Sequence, residues 1–176
     1  MNFNLIISTF RNGEEEARNE ILNVLASAGD SEAKAEVTGI VGIILGFTNI
    51  DPFHVVQIFR ELVMNRPWEN RYVLRLLPIE AVVPTQLQYI VISAKKLALK
   101  IKKQEAFRIT IEKRHNSLRS SDIIREVAEN IDNPVNLCNP DWIILVEIVG
   151  KLTGLSVLRP ASIFSSVIEK RKNFTL

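Results

Sequence analysis

Between Phe107 and Ser117 the chain reads FRITIEKRHNS, a segment that admits few folds. Phe107, Ile109 and Ile111 alternate with Arg108, Thr110 and Glu112, which is the period of a half-buried strand. That strand runs into Lys113, Arg114 and His115, so one face is committed to a core while the end carries positive charge. Arg119 follows, with Asn116 and Ser117 as hydrogen-bonding side chains between. Ser120, Ser121 and Asp122 then open a helix over 121–131, whose first N–H groups add to the attraction for an anion. Phosphate could meet charge, side-chain donors and backbone N–H groups together at this turn. The alternative reading is a solvated turn.

Around this segment the chain alternates strands and helices. Residues 3–9 form a strand, Asn12 and Gly13 open a helix with Glu14, Glu15 and Glu16 in its first turn, and Gly29 and Asp30 close it. Strands at 34–38 and 41–47 flank Gly39, and Asp51-Pro52 starts a helix that runs to Asn65. A long strand over 72–83 completes a β-α-β-β-α-β order, the split βαβ of a ferredoxin-like domain. Pro84 marks a boundary, followed by an amphipathic helix over 85–103 with Leu87, Ile90, Ala94, Leu97 and Ile101 at helical spacing. Lys96, Lys100 and Lys103 recur at i, i+4 and i+7 as one exposed stripe, either an RNA contact or a solubilising helix end. After the 107–117 segment come a short strand at 135–137, a central strand at 142–149 covered on both faces, and a strand at 155–158. The expected domains are therefore 1–83, 84–160 and a basic C-terminal tail, 161–176.

Composition limits the function classes. With 176 residues and 47% hydrophobic content the chain can bury a sizeable core. Its single cysteine, Cys138, excludes an internal disulfide. The apolar run 40–47 contains two glycines and is far short of a bilayer span, and Met1 is followed by a strand-like segment without a basic leader. A soluble cytoplasmic protein without a membrane partner is expected. Before Pro84 there are seven Lys and Arg against eleven Asp and Glu; from Pro84 onward there are fifteen against nine. The cations of the second half point to an acidic ligand, of which nucleic acid is the common one.

Nothing in the sequence assembles an enzyme. Gly39, Gly42 and Gly46 lack the spacing of a phosphate loop, and His54 and His115 are far apart without a ligand cluster, so no cofactor or metal is expected. Cys138 reads as a small structural hydrophobe near Trp142. Glu147, in an apolar strand, reads either as a general base or as the partner of a cation such as Lys113 or Arg108. Phe107, Trp142, Phe164 and Phe174, with Tyr89, are the aromatic residues in this half, too few for stacking a long single strand, so recognition of RNA backbone and shape is favoured.

The order and spacing of Lys113-Arg114, Ser121-Asp122-Ile123, Val135-Asn136-Leu137, Asn139-Pro140-Asp141 and Val146-Glu147-Ile148 resemble the THUMP domain, an RNA-binding module of tRNA-modifying proteins. Asn136 stands where family members often have Asp. The resemblance covers 85–159 and implies an α+β chain, a ferredoxin-like domain followed by an α/β THUMP domain. In the family such domains are often fused to catalytic domains, as in 4-thiouridine synthetases, tRNA guanine methyltransferases and pseudouridine synthases. The ending Arg171-Lys172-Asn173-Phe174 is similar to the stand-alone members that partner a tRNA cytidine acetyltransferase. The resemblance thus implies a noncatalytic tRNA-binding adaptor for 4-acetylcytidine formation. Lys96, Lys100, Lys103, Lys113, Arg114, His115, Asn116, Ser117 and Arg119 are its RNA-binding candidates. The alternatives are an RNA-modifying enzyme or remnant using Glu147 or His115, and a protein-interaction module with a basic tail.

Overall fold

The computed structural model describes residues 2–173. Among them the chain is a mixed α/β fold with two sheets and five helices. It divides into two units, one running to Pro78 and resumed from Ala161, the other spanning Ile79–Pro160.

The first unit begins β1 (Leu5–Ser8), α1 (Glu14–Ser27), β2 (Lys34–Val37), β3 (Ile43–Phe47), α2 (Pro52–Asn65) and β4 (Arg75–Pro78). Up to Pro78 this is the β-α-β-β-α-β order read from the sequence. Ala17, Ile21 and Leu25, at a spacing of four, form the buried stripe of α1, and Gly29 turns the chain out of it at a φ of 103°. Asp51 caps α2 by accepting from the Phe53 N–H at 3.2 Å, with Pro52 at the first helical position. Both helices pack on Leu5, Ile7, Ile44 and Leu76, and each such fully buried aliphatic side chain contributes about 1.5–3 kcal/mol. Glu14 does more than complement the helix dipole. Its Oε1 accepts from the Gly42 N–H at 2.7 Å, and that bond holds its carboxyl below the usual range.

Two sequence expectations fail here. The strand read over 72–83 is two strands: β4 pairs antiparallel with β1, whereas β5 (Ala81–Pro84) pairs antiparallel with β8 (Leu152–Leu158) of the second unit. Pro78 has no N–H to extend a ladder, and Glu80 is drawn to β8, its N–H donating to Leu155 O and its Oε2 accepting from Val157 N–H at 2.8 Å. The boundary expected at Pro84 therefore falls at Pro78. The segment 161–176, expected as a separate basic tail, supplies β9 (Phe164–Ser165) and α5 (Ser166–Asn173) to the first unit, whose sheet runs β2-β3-β1-β4-β9. Phe164 packs edge-on against Phe59, with ring centroids 5.4 Å apart, and the Arg60 guanidinium binds Glu169 at 3.1 Å. Phe174 lies outside the described residues.

The second unit holds β5, α3 (Leu87–Ala98), β6 (Phe107–Arg114), α4 (Ser120–Glu129), β7 (Trp142–Val149) and β8. Its sheet runs β5-β8-β7-β6, with β6 parallel to β7 and the remaining pairs antiparallel. β7 is central, and Ile143–Ile148 is buried, as the continuous apolar run predicted. Ile90, Ala94 and Ala98 of α3 and Ile123 and Val127 of α4 pack with Phe107, Ile144, Val146 and Ile148. The segment expected as a strand at 135–137 makes one bridge, between Val135 and Phe107. α3 stops at Ala98, short of the expected 103. Beyond it, Ile101 turns into the core and the Lys102 N–H is captured by Glu105 Oε2 at 3.0 Å.

Candidate nucleic-acid interface

The candidate cations gather in two clusters, not one. α3 leads into β6 through the loop 99–106, while the turn 115–119 leaves the other end of β6. Eight residues of strand separate the two, about 25 Å at 3.3 Å per residue. Lys96 and Lys103 therefore belong to one end of the sheet, and Lys113, Arg114, His115, Asn116, Ser117 and Arg119 to the other.

At the first end the predicted lysine stripe does not form, because only Lys96 is helical. Lys100 binds Glu80 at 2.6 Å, and its ammonium lies 5.8 Å from the Trp142 ring centroid. Trp142 anchors this corner. The Arg159 guanidinium stacks 3.9 Å from its ring, and its indole N–H donates to Glu105 Oε2 at 2.7 Å. Arg159 closes the cluster on Glu105 Oε1 at 2.7 Å. The Arg159 bond, then that of Trp142, holds the Glu105 carboxyl down at about 2. Trp142 is half-buried, packed against the core of its unit and pinned by charges. Cys138, expected to pack near it as a small hydrophobe, is exposed. What orders that loop is Asn136, whose Oδ1 accepts from the N–H groups of Cys138 at 3.1 Å and Asn139 at 3.0 Å, a role that an Asp fills equally well. Lys95, Lys96, Lys102 and Lys103 are exposed and form no ion pair among the described residues.

At the second end the turn is built, not merely solvated. His115 adopts a left-handed φ of 54°. Asn116 Nδ2 donates to Gly150 O at 3.1 Å, and its Oδ1 accepts from Leu118 N–H at 2.8 Å. Lys113 Nζ reaches back to Leu118 O at 2.8 Å, keeping its charge at the surface. Arg114 does not face the solvent freely: its guanidinium binds Glu147 Oε2 at 2.7 Å, and Glu147 is fully buried. Of the alternatives left open for Glu147, the structure gives it a cation partner, Arg114 rather than Lys113 or Arg108. The helix after the turn begins at Ser120, with Arg119 as N-cap and no side-chain capping bond, so Ser120, Ser121 and Asp122 do not cap it as expected. Arg119, Ser117 and His115 are exposed.

Redrawing the boundaries also reduces the charge contrast. Residues 79–160 carry twelve Lys and Arg against nine Asp and Glu, and the first unit ten against eleven, because the cations of α5 belong to the first unit. Lys170 is spent on Asn70 O at 2.5 Å and Lys172 on Glu169 at 3.0 Å. Among the described residues no group of three His, Cys, Asp or Glu side chains could hold a metal ion, and no helix is long and apolar enough to cross a membrane.

Residues 86–158 match the family model of the THUMP domain, within a residue at each end of the span that resembled it in sequence. No curated protein matches the chain. Among solved structures, PH1313 from Pyrococcus horikoshii Ot3 is similar at 20% identity and a TM-score of 0.69, over 90% of this chain and 55% of that one. TrmN from Thermus thermophilus is similar at 19% identity and a TM-score of 0.56, over 91% of this chain and 47% of that one. A 4-thiouridine synthetase solved as an RNA complex with bound ATP is similar at 14% identity and a TM-score of 0.55, over 90% of this chain and 42% of that one. At these identities the likeness is one of fold, and the chain spans about half the length of the structures it matches.

Proposed function

We propose that this chain is a noncatalytic tRNA-binding adaptor. Its THUMP segment holds the acceptor end, and its first unit, ferredoxin-like by its antiparallel β2-β3-β1-β4 order, fixes the distance to a site modified by a separate enzyme. The observation that carries the reading is the THUMP match over 86–158, in a unit whose exposed cations stand at both ends of one strand. The 4-thiouridine synthetase that shares the fold was solved as an RNA complex, which supports an RNA ligand for this chain too.

The acid-base candidates weigh against chemistry in this chain. Glu147 is engaged by Arg114 in a buried ion pair, and His115 stands on an exposed turn. A groove of about 600 Å³ between α1 and α2 holds Glu20, but that carboxylate accepts from Asn70 Nδ2 and from the N–H groups of Arg71, Tyr72 and Val73. It is a structural anchor, not a base. The gain in modification would come from positioning another enzyme's substrate, for which effective molarity is large.

The modification favoured is 4-acetylcytidine, on the resemblance to acetyltransferase partners. Incubating the protein with tRNA and acetyl-CoA, with and without the tRNA cytidine acetyltransferase, tests the reading. Stimulation only when the enzyme is present is expected; acetylation by this chain alone, or no stimulation, overturns it.

A further inference from the structure

β6 is an edge strand: in the sheet order β5-β8-β7-β6 it has a neighbour on one side only. Which backbone groups face the open side follows from bonds at its two ends. The Phe107 N–H donates to Pro134 O at 2.9 Å and its carbonyl accepts from Asn136 N–H at 3.0 Å, so the main chain of Phe107 points away from β7. The carbonyls of Ala106 and Arg114 point the other way, to Trp142 N–H at 3.1 Å and Gly150 N–H at 3.0 Å. Because direction alternates along a strand, Ile109, Ile111 and Lys113 also present N–H and C=O outward. The 134–136 segment covers the edge only at Phe107, and among the described residues no backbone group pairs with Ile109, Ile111 or Lys113 on that side. Such an edge is a template for an extended chain.

Charge decides what kind of chain. At the start of the edge, Asn133 Nδ2 donates to Lys102 O at 2.8 Å, which ties the loop bearing Lys102 and Lys103 beside Pro134. Arg108, half-buried on the strand itself, points one guanidinium nitrogen at Leu137 O at 3.1 Å. At the far end stand Lys113 and Arg119. The open edge is thus bracketed by cations, with Thr110 between them. A polyanion fits this arrangement better than a peptide strand.

We infer that the open edge of β6 is a track for a single RNA strand, running from the Lys102–Lys103 loop to the 113–119 turn. Phosphates accept from the outward N–H groups of Ile109 and Ile111 and from the bracketing cations. Ribose 2′-hydroxyls donate to the alternating carbonyls. Outward groups recur every second residue, about 6.6 Å, close to the step between successive phosphates of an extended strand. The hydroxyl bonds make the track one for RNA over DNA. Glu112, exposed on the same strand, is an anion on the path and weakens the grip. The inference rests on the RNA-binding reading above and adds the place and the form of the ligand.

The test uses the full chain and an RNA hairpin with a single-stranded 3′ extension. Amide exchange of Ile109 and Ile111, followed by NMR, should slow when this RNA is added. Thr110→Glu, which leaves the β6–β7 ladder untouched, should weaken binding by about tenfold, because its carboxylate would stand against the phosphates along the edge. Glu112→Lys should strengthen it, and a 2′-deoxy extension should bind more weakly than RNA. Lys102→Glu with Lys103→Glu should lower the slope of log K against log salt by about 0.7 for each phosphate that these lysines neutralise. Lys34→Glu, on β2, should change nothing. If the wild-type chain does not bind the hairpin, the RNA-binding reading itself fails. If it binds with exchange at Ile109 and Ile111 unchanged and Thr110→Glu neutral, the RNA lies elsewhere and the track is wrong. Protection of these amides that depends on protein concentration and not on RNA would make the edge a protein-pairing site, and would equally overturn the inference.

Discussion

At the scale of single residues, the decisive contrast is between Lys113 and Arg114, neighbours with different tasks. Arg114 neutralises the fully buried Glu147, and removing one partner of a buried pair leaves an uncompensated charge. Arg114→Ala should therefore cost about 3–5 kcal/mol in urea unfolding, whereas Lys113→Ala should leave stability nearly unchanged. Charge reversal at both positions is thus no clean test of RNA binding, since Arg114→Glu would set two carboxylates against each other. Trp142→Ala should cost about 3 kcal/mol, the low end for a large aromatic because the ring is half-buried. Glu105 adds a pH dependence. Its carboxyl is held at about 2, below the ordinary 4.5, so the folded state binds its proton less readily than the unfolded one. The stabilisation is full above the unfolded value near 4.5 and is lost as pH falls toward 2. Glu105→Gln should flatten that acid limb in thermal melts recorded as a function of pH.

At the scale of elements, the connection from β2 to β3 depends on a glycine. Gly42 has a φ of 74°, and a Cβ there would lie 2.7 Å from the Thr9 carbonyl oxygen. Its N–H holds Glu14, so the turn fastens the start of α1 to the sheet. Gly42→Ala should destabilise the first unit by about 1–3 kcal/mol, measurable as accelerated amide exchange across β1 and β3. The return of β9 and α5 is equally structural. A chain ending at Pro160 loses Phe164 from against Phe59 and the Glu169 partner of Arg60, and should melt lower than the full chain.

At the scale of the whole molecule, β5 makes the functional cut fall at Pro78. A chain of residues 79–160 should fold and keep most of the RNA affinity, whereas one starting at Pro84 loses β5 and leaves β8 without its outer neighbour. Circular dichroism and RNA titration of the two fragments check this. Affinity for tRNA should fall steeply with salt, since the exposed lysines displace counterions from phosphates; a slope near zero would contradict the proposed role. Removal of residues 1–78 should leave RNA bound but abolish stimulation of the modifying enzyme.

The alternation of Phe107, Ile109 and Ile111, the acidic first turn of α1, the Asp51-Pro52 start of α2 and the apolar run of β7 depend on local pattern, and each was legible from residues alone. So was the THUMP span, whose pieces are short and fixed in order. What the sequence could not decide depends on partners far along the chain. Glu80, Glu105 and Glu147 each find a cation or N–H donor at least twenty residues away, and those bonds split one apparent strand, tie Trp142 and Arg159 to the loop after α3 and take Arg114 out of the solvent-facing set. The segment 161–173 reads only as part of a basic tail, yet Phe164 and Glu169 fix it to Phe59 and Arg60. Local pattern determined where strands and helices form. Long-range pairing of charge and backbone decided which sheet each strand joins and which cations remain for a ligand.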